Sequence, residues 1–217
     1  MGKGTKVKTM PDEIRWVFIK GEGRNNAMQG EEPRMQFVAS ALLEKNGAAH
    51  KHIEAQIDAE WELYKKEFGV KGKPKTNGIK DYMIADPSGE IDPETEEVRR
   101  IESGKVLVTF KSNVAWPDGK PQVIKVFKGD GTDITAAYRA ADWAIGEGSK
   151  GIIHGVAQGN NVGGTHKVTL YLSAVQLTKL VKYEGSEMDV EQVEGYEDFD
   201  LGDDGMGAVG SDNKPAL

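Results

Sequence analysis

Two long stretches of the chain alternate apolar and polar residues, and this alternation constrains the fold more than any other feature. Residues 105–116 read KVLVTFKSNVAW, and residues 166–182 read HKVTLYLSAVQLTKLVK. A period of two is typical of a β-strand that buries one face and leaves the other in water. The polar faces of the two strands hold Lys105, Thr109, Lys111, Lys167, Thr169 and Tyr171. The sequence therefore predicts two long strands, each with a basic, water-facing side.

Shorter strands are predicted at residues 14–20, 34–43, 122–128 and 150–158. In the first of them, Ile14, Trp16 and Phe18 alternate as the apolar face. A Pro-Asp-Gly turn makes residues 122–128 the return strand of a hairpin, and the glycine-rich residues 159–164 form a second hairpin loop. Residues 1–10 contain three lysines and little that could pack, so we expect a mobile basic arm.

One amphipathic helix interrupts the strands. Its apolar residues follow at spacings of three or four and are Ile53, Ile57, Trp61, Tyr64 and Phe68. Asn46 suits an N-cap and Gly69 a helix stop, which predicts a helix over residues 47–68. A shorter helix is expected at 132–144, and residues 69–104, which lack sustained periodicity, are expected to form a long surface insertion.

This order of elements favours a mainly β fold, a small Greek-key barrel of five or six strands, over a doubly wound sheet. We predict one domain over residues 1–183 and a disordered acidic tail over residues 184–217. No apolar run approaches the roughly 20 residues that span a bilayer, no signal-peptide pattern is present and the chain has no cysteine. We therefore expect a cytoplasmic protein that does not enter membranes.

The net charge of −7 hides a strong asymmetry along the chain. Residues 184–217 contain eleven acidic side chains and one basic side chain, so they carry −10. Residues 1–183 hold 27 basic and 24 acidic side chains and carry +3. The acidic isoelectric point therefore describes the tail, and a polyanionic partner for the domain is not excluded.

The sequence gives no positive sign of catalysis, of a metal site or of a cofactor. Residues 159–167 are glycine-rich, but they lack the GK[ST] ending of a phosphate loop. His50 and His52 are best explained by a solvated helix face, and Asp130 and Asp133 by turn chemistry. We therefore expect no enzymatic activity.

A basic strand face that carries an aromatic ring points to nucleic acid. Lysines can follow a phosphate backbone while an aromatic ring accepts a stacked base, although lysine on an exposed strand face also protects against edge pairing. The tail is a tethered polyanion, which would compete with DNA for a basic cleft. The aromatic and aliphatic residues of the tail, Phe199 and Leu201 among them, would suit docking in a partner's groove.

The chain resembles the single-stranded DNA-binding proteins of T-seven-type short-tailed bacteriophages. The resemblance runs in order through EEPRMQFVASALLEKN, the amphipathic helix, KVLVTFKSNVAW, GEGSK and HKVTLYLSAVQLTKLVKYEG, before the acidic tail. It implies an OB-fold barrel with an inserted helix. It also implies a protein that coats single strands in phage DNA replication, recombination and repair, and that promotes annealing.

The resemblance further implies tail contacts with the phage DNA polymerase and helicase-primase, and dimerisation. Arg34 and Lys111 match positions of the family's DNA-binding face, and Lys3 matches a basic residue near its N-terminus. The loop at residues 158–161 lacks the family's stacking aromatics, so Tyr171 and Trp116 are the expected stacking residues. The full set of predicted DNA-binding residues is Lys3, Arg34, Lys105, Thr109, Lys111, Trp116, Lys125, Lys150, Lys167 and Tyr171.

The end of the tail departs from the family, because it closes on Lys-Pro-Ala-Leu and not on an aromatic residue. Phe199 would then serve as the anchor of a partner-binding stretch formed by Asp198, Phe199, Asp200, Leu201, Asp203 and Asp204. Two other classes of function stay open from the sequence alone. One is an interaction module whose acidic tail captures a basic protein, and the other is an enzyme such as a nuclease.

Overall fold

A computed structural model of the chain describes residues 4–27 and 32–183. The strands are β1 (Thr5–Lys8), β2 (Asp12–Phe18), β3 (Arg24–Asn25), β4 (Met35–Glu44), β5 (Ile79–Ala85), β6 (Arg100–Asn113), β7 (Lys125–Lys128), β8 (Ala144–Ile145), β9 (Lys150–Val162), β10 (Thr165–Lys179) and β11 (Lys182–Tyr183). The helices are α1 (Ala48–Phe68) and α2 (Thr135–Ala140). Lys3 and the six tail residues from Asp198 to Asp204 that we predict as partner contacts lie outside the described residues.

Five strands close into a barrel. The pairings run β9–β2–β4–β6–β10, and β10 pairs again with β9, which joins the two ends. β1 extends the sheet beside β9, β3 pairs with β4, and β5 pairs with β6. The predicted mainly β barrel with one inserted amphipathic helix is confirmed. The division of the chain at residue 183 stays a prediction.

The inward-facing residues of the two long strands form the centre of the core, as the alternation predicts. The buried apolar side chains of the four longest strands include Phe37, Ala39, Leu43, Val106, Val108, Phe110, Ile153, Val168, Leu170 and Leu172. A register shift between Leu172 and Ala174 then changes the parity of β10, so that Val175 and Leu177 are also buried. Beyond this bulge a simple period of two no longer describes the strand.

α1 packs one face onto this core through Ile53, Ile57, Trp61 and Tyr64. Gly69 ends the helix in the left-handed conformation, as predicted. The predicted N-cap is wrong, because Gly47 occupies that position and Asn46 has a left-handed φ of 64°. His50 is not on a solvated face either, since it is buried and its Nδ1 accepts a hydrogen bond from the Asn46 N–H.

Residues 5–8 are not a mobile arm. They form β1, which pairs antiparallel with β9, and Val7 and Thr9 are buried. The side-chain carboxylate of Glu60, on α1, accepts hydrogen bonds from both the backbone N–H and the hydroxyl of Thr5. The lysines of this segment therefore sit at fixed positions on a strand that contacts α1.

The predicted hairpin between residues 105–116 and 122–128 is wrong in its pairing. Backbone hydrogen bonds join only Trp116 to Lys120 and Gln122 to Val114, after which the chain turns away. The strand that follows, β7, is shorter than predicted and pairs in parallel with β10. The Pro-Asp-Gly turn at residues 117–119 determines only the local chain reversal. β7 pairs with β10 because Ile124 and Val126 are buried against the barrel.

Residues 69–104 contain more regular structure than a surface insertion without periodicity. β5 pairs along β6, and β6 begins at Arg100, five residues before the predicted start. The two strands form a ribbon whose closing segment carries a bridge between Ile91 and Val98. No helix in the described part of the chain has both the length and the apolar character needed to cross a bilayer.

Candidate nucleic-acid interface

A groove of about 1040 Å³ runs along the outer face of the barrel. Its sheet side is formed by β4 and β6, one end by β2 and β3, and its other side by α1 and by residues 72–80, which we call the strap. The first residues of β10 complete the lining. The groove is open to solvent, and its lining includes cationic, hydroxyl, amide and aromatic side chains.

The floor of the groove is polar and well ordered. Ser40 and Thr109 are register partners on β4 and β6, and their hydroxyl oxygens lie 3.0 Å apart in a hydrogen bond. The next outward pair along the two strands is Val38 with Lys111. The polar face of β6, which the sequence predicts to face water, is therefore the floor of the groove.

Lys111 is the most constrained cation of this floor. Partial burial lowers the pKa of Lys111, and the positive charges of Lys80 and Arg24 lower it further. Among residues 4–27 and 32–183, no carboxylate forms an ion pair with any of these three side chains. Three cations that repel each other without local compensation form a site where an anion would be stabilised.

A β-bulge in β2 turns two aromatic rings away from the core. The pairing of β2 with β4 shifts register between Arg15 and Phe18, and Trp16 has a left-handed φ of 52°. Trp16 is 45% exposed and lines the groove, while Val17 is buried. A non-glycine residue in this conformation costs about 1–3 kcal/mol and is common at functional sites. The predicted apolar face of this strand is thus wrong at both Trp16 and Phe18.

Trp16 contacts an aromatic ring on another strand. The ring of Tyr82, on β5, lies 6.2 Å from the indole of Trp16 between centroids. Arg15 donates a hydrogen bond of 2.9 Å to the Tyr82 hydroxyl, and its guanidinium also forms ion pairs with Glu13 at 2.6 Å and Glu147 at 2.7 Å. Phe18 is 40% exposed, and the guanidinium of Arg24 lies 5.4 Å from its ring centre.

The helix side of the groove has the opposite charge. Glu54, Asp58 and Glu62 line it from α1. Glu62 forms an ion pair of 2.6 Å with Lys65, which partly neutralises this end. The positive charges of the groove are therefore concentrated on the strap, on β3 and on β6.

Only part of the predicted DNA-binding set lines this groove. Thr109, Lys111 and Lys167 lie together in it. Lys105 lies outside the groove and forms an ion pair with Glu44 at 3.4 Å. Lys125, on β7, forms an ion pair of 3.9 Å with Asp133. The predicted residues that do not line the groove are Arg34, Lys105, Trp116, Lys125, Lys150 and Tyr171.

The two predicted stacking residues have different positions. Tyr171 is 39% exposed and is the register partner of Lys111 where β10 meets β6, so it lies just beyond the groove. Trp116 is 54% exposed and lies in the turn after β6.

Sequence reasoning missed Trp16, Arg24, Lys73, Lys75 and Lys80, which all line the groove. The basic run KGKPKTNGIK carried a signal for the three lysines, because it holds four cations and no acid. For Trp16 the sequence carries no signal, since a tryptophan between Ile14 and Phe18 continues an apolar alternation.

The described residues contain no group of three or more His, Cys, Asp or Glu side chains placed to hold a metal ion. Asp130 and Asp133 accept hydrogen bonds from the backbone N–H groups of Thr132 and Thr135, both at 2.9 Å. Their role in turns is as predicted.

No protein-family model and no curated protein sequence matches the chain. Solved structures do match it. The C-terminally truncated single-stranded DNA-binding protein of bacteriophage Enc34 superposes with a TM-score of 0.52 at 18% identity, over 80% of this chain and 85% of that one. The same protein in complex with single-stranded DNA matches with a TM-score of 0.52 at 17% identity, over 80% and 86%.

A third similar structure is that of gp2.5, a single-stranded DNA-binding protein encoded by bacteriophage T7. It matches with a TM-score of 0.51 at 13% identity, over 90% of this chain and 100% of that one. At these identities the likeness concerns the fold, and it agrees with the OB-fold barrel that the sequence resemblance implies. The described part of this chain has the fold of the phage single-stranded DNA-binding proteins.

Proposed function

We propose that this chain is a sequence-tolerant single-stranded DNA-binding protein and that the strand lies in the groove. One observation carries the proposal. Lys80, Lys111 and Arg24 lie together without a carboxylate partner among the described residues, beside an exposed tryptophan held on a strained backbone. Phosphates would supply the missing negative charge, and Trp16 would accept a stacked base.

The chemistry of the groove explains why the binding would tolerate any sequence. Stacking on an aromatic ring contributes about 1–3 kcal/mol per base and depends little on which base is stacked, since every base has a π-face. Contacts to phosphates carry no sequence information. The Enc34 protein, which shares the fold, has been solved with single-stranded DNA, and this supports the choice of ligand.

The finer biological role is also a proposal. The chain would act in the host cytoplasm during phage DNA replication, recombination and repair, coating single strands, promoting annealing and dimerising. The tail would compete with DNA for the groove and would recruit the phage polymerase and helicase-primase. The −10 charge of residues 184–217 against +3 for residues 1–183 supports the competition, because a tethered polyanion has a high local concentration.

A direct test measures the anisotropy of a labelled oligo-dT during titration with the full-length chain at two salt concentrations. We expect binding whose affinity falls as salt rises, because the cations of the groove displace condensed counterions from the strand. The oligonucleotide should stay intact in the presence of Mg²⁺. Absence of binding, or an affinity that does not respond to salt, would contradict the proposal.

A second candidate is a protein-interaction module, and the eleven acidic residues of the tail favour it. In that case the tail would bind a basic protein, and the body would have no nucleic-acid ligand. Partners that co-purify with the chain after nuclease treatment, together with no oligo-dT binding, would support this candidate over the first.

A further inference from the structure

We propose that residues 71–80, which include the strap, bind the phosphodiester backbone of a single strand and form a continuous phosphate track between two strands of the barrel. This inference rests on the proposed function. It assigns the backbone contacts to a segment outside the predicted DNA-binding set.

The strap fills a seam in the barrel. In the described part of the chain, β6 and β10 pair only where Lys111 meets Tyr171. Next to this point the strap bonds to both strands. The N–H of Thr109 donates to the carbonyl of Gly78 at 2.9 Å, the N–H of Val168 donates to the carbonyl of Thr76 at 2.9 Å, and the Lys75 N–H donates to the carbonyl of His166 at 3.0 Å. The main chain of the strap is therefore fixed on both sides.

Two further contacts hold the strap close to the barrel. The buried indole of Trp61, on α1, donates a hydrogen bond of 2.9 Å to the carbonyl of Gly72. Gly78 has a left-handed φ of 82°, and a Cβ at that position would lie 2.8 Å from Leu170 Cδ1. Only glycine fits this approach without displacing Leu170. The backbone that carries the lysines is thus in place before any ligand arrives.

The segment is purely basic. Lys71, Lys73, Lys75 and Lys80 are exposed, and residues 71–80 contain no carboxylate. The first acid after the segment, Asp81, lies 2.7 Å from Lys45 in an ion pair, so its charge is offset. An ordered stretch of four exposed lysines with no carboxylate in an ion pair with them among the described residues offers successive positive charges to the phosphates of a nucleic-acid backbone.

The strap also makes the positive surface continuous. Its bond to His166 places Lys75 beside the start of β10, where Lys167 lines the groove. At the other end, Lys80 and Arg24 both line the groove close enough to Lys111 for their charges to lower its pKa. The track therefore runs from Lys167 across the seam to Arg24. Glu54 and Asp58 would repel phosphates from the helix side and keep the backbone on the strap side.

Pre-ordering lowers the entropic cost of binding, because the main chain of the strap does not have to be fixed by the ligand. Each phosphate neutralised on a single strand contributes about 0.7 to the slope of log affinity against log salt concentration. Three strap lysines that line the groove would then account for about 2 of that slope. A fall of about 2 in the salt slope therefore distinguishes the loss of phosphate contacts from a general loss of positive charge.

The test compares two triple variants of the full-length chain in oligo-dT titrations over a series of salt concentrations. One is Lys73→Ala/Lys75→Ala/Lys80→Ala. The control is Lys66→Ala/Lys128→Ala/Lys179→Ala, which removes the same charge from exposed lysines that do not line the groove. We expect the slope of the strap variant to be smaller than the wild-type slope by about 2 and that of the control to stay within 0.5 of wild type.

Equal slopes in the two variants would overturn the phosphate track while leaving single-strand binding intact. Failure of the wild-type chain to bind oligo-dT at any salt concentration would overturn the proposed function itself. The two failures are therefore distinct. Circular dichroism of each variant shows whether the barrel is folded before the slopes are compared.

Discussion

The ring of Tyr82 lies 6.2 Å from the indole of Trp16, although two other strands separate their strands in the sheet. Tyr82 belongs to β5 and Trp16 to β2, with β4 and β6 between them. Two side chains can meet across two intervening strands only if the sheet curls strongly, so the outer face here is concave. This curvature is what makes a groove out of a strand surface.

The backbone at Trp16 gives a first prediction. At most strand positions glycine is less stable than alanine, by about 0.5–1 kcal/mol. In the left-handed conformation the order reverses, because a Cβ costs roughly 1–2 kcal/mol there. We expect the Trp16→Gly chain to have a free energy of unfolding about 1 kcal/mol above that of Trp16→Ala, measured by urea denaturation. If alanine is the more stable of the two, then the bulge does not hold this φ in solution.

Lys111 gives a prediction on pH. Because its pKa is lowered in the folded state, protonated Lys111 destabilises the fold, and the penalty is relieved as pH rises through the lowered pKa. Lys111→Met should therefore raise the melting temperature at pH 7, and this advantage should shrink as the pH approaches the ordinary lysine pKa. The same variant should bind oligo-dT more weakly. An advantage that grows with pH would have the wrong sign for this account.

The anchor of the strap gives a third prediction. Trp61→Phe keeps an aromatic ring in the core but removes the N–H that bonds to the Gly72 carbonyl, a loss of about 1 kcal/mol. We expect faster hydrogen exchange at the amides of Lys75 and Val168, which bond between the strap and β10. Exchange at Val108, buried on β6, serves as the reference and should change less. Equal acceleration at all three amides would mean global destabilisation.

The competition between tail and DNA gives a fourth prediction. A chain ending at residue 183 loses a segment of charge −10, so it should bind oligo-dT more tightly than the full-length chain. The difference should be largest at low salt and should shrink as the charges are screened. Equal affinities of the two chains at low salt would rule out competition for the groove.

Residues 105–116 and 166–182 show how much of the fold the sequence determines. Their alternation gives two long strands with the correct buried faces, in β10 as far as the bulge after Leu172, and the 3.6-residue period gives α1 within one residue of its observed bounds. The period of two and the period of 3.6 residues are both local patterns that repeat many times, so the apolar residues on the predicted face are the ones that pack in the core. The barrel class follows from them, and it is confirmed.

The parts that could not be predicted depend on contacts distant in sequence. β1 is ordered because Val7 is buried against the barrel and Glu60 binds Thr5, and neither is visible in a lysine-rich segment. The bulge at Trp16 depends on a register shift against β4. Lys105 has the right parity for the groove, yet it is paired with Glu44 because β4 ends beside it.

The most direct test of single-strand binding in the groove is the quenching of tryptophan fluorescence by saturating oligo-dT in Trp16→Ala and in Trp116→Ala. Both residues are exposed, but only Trp16 lines the groove. We predict that Trp116→Ala retains the wild-type quenching. Trp16→Ala should lose most of it and bind roughly 5- to 150-fold more weakly, the equivalent of one stacked base. Undiminished quenching and affinity in Trp16→Ala, with loss of both in Trp116→Ala, would contradict the account.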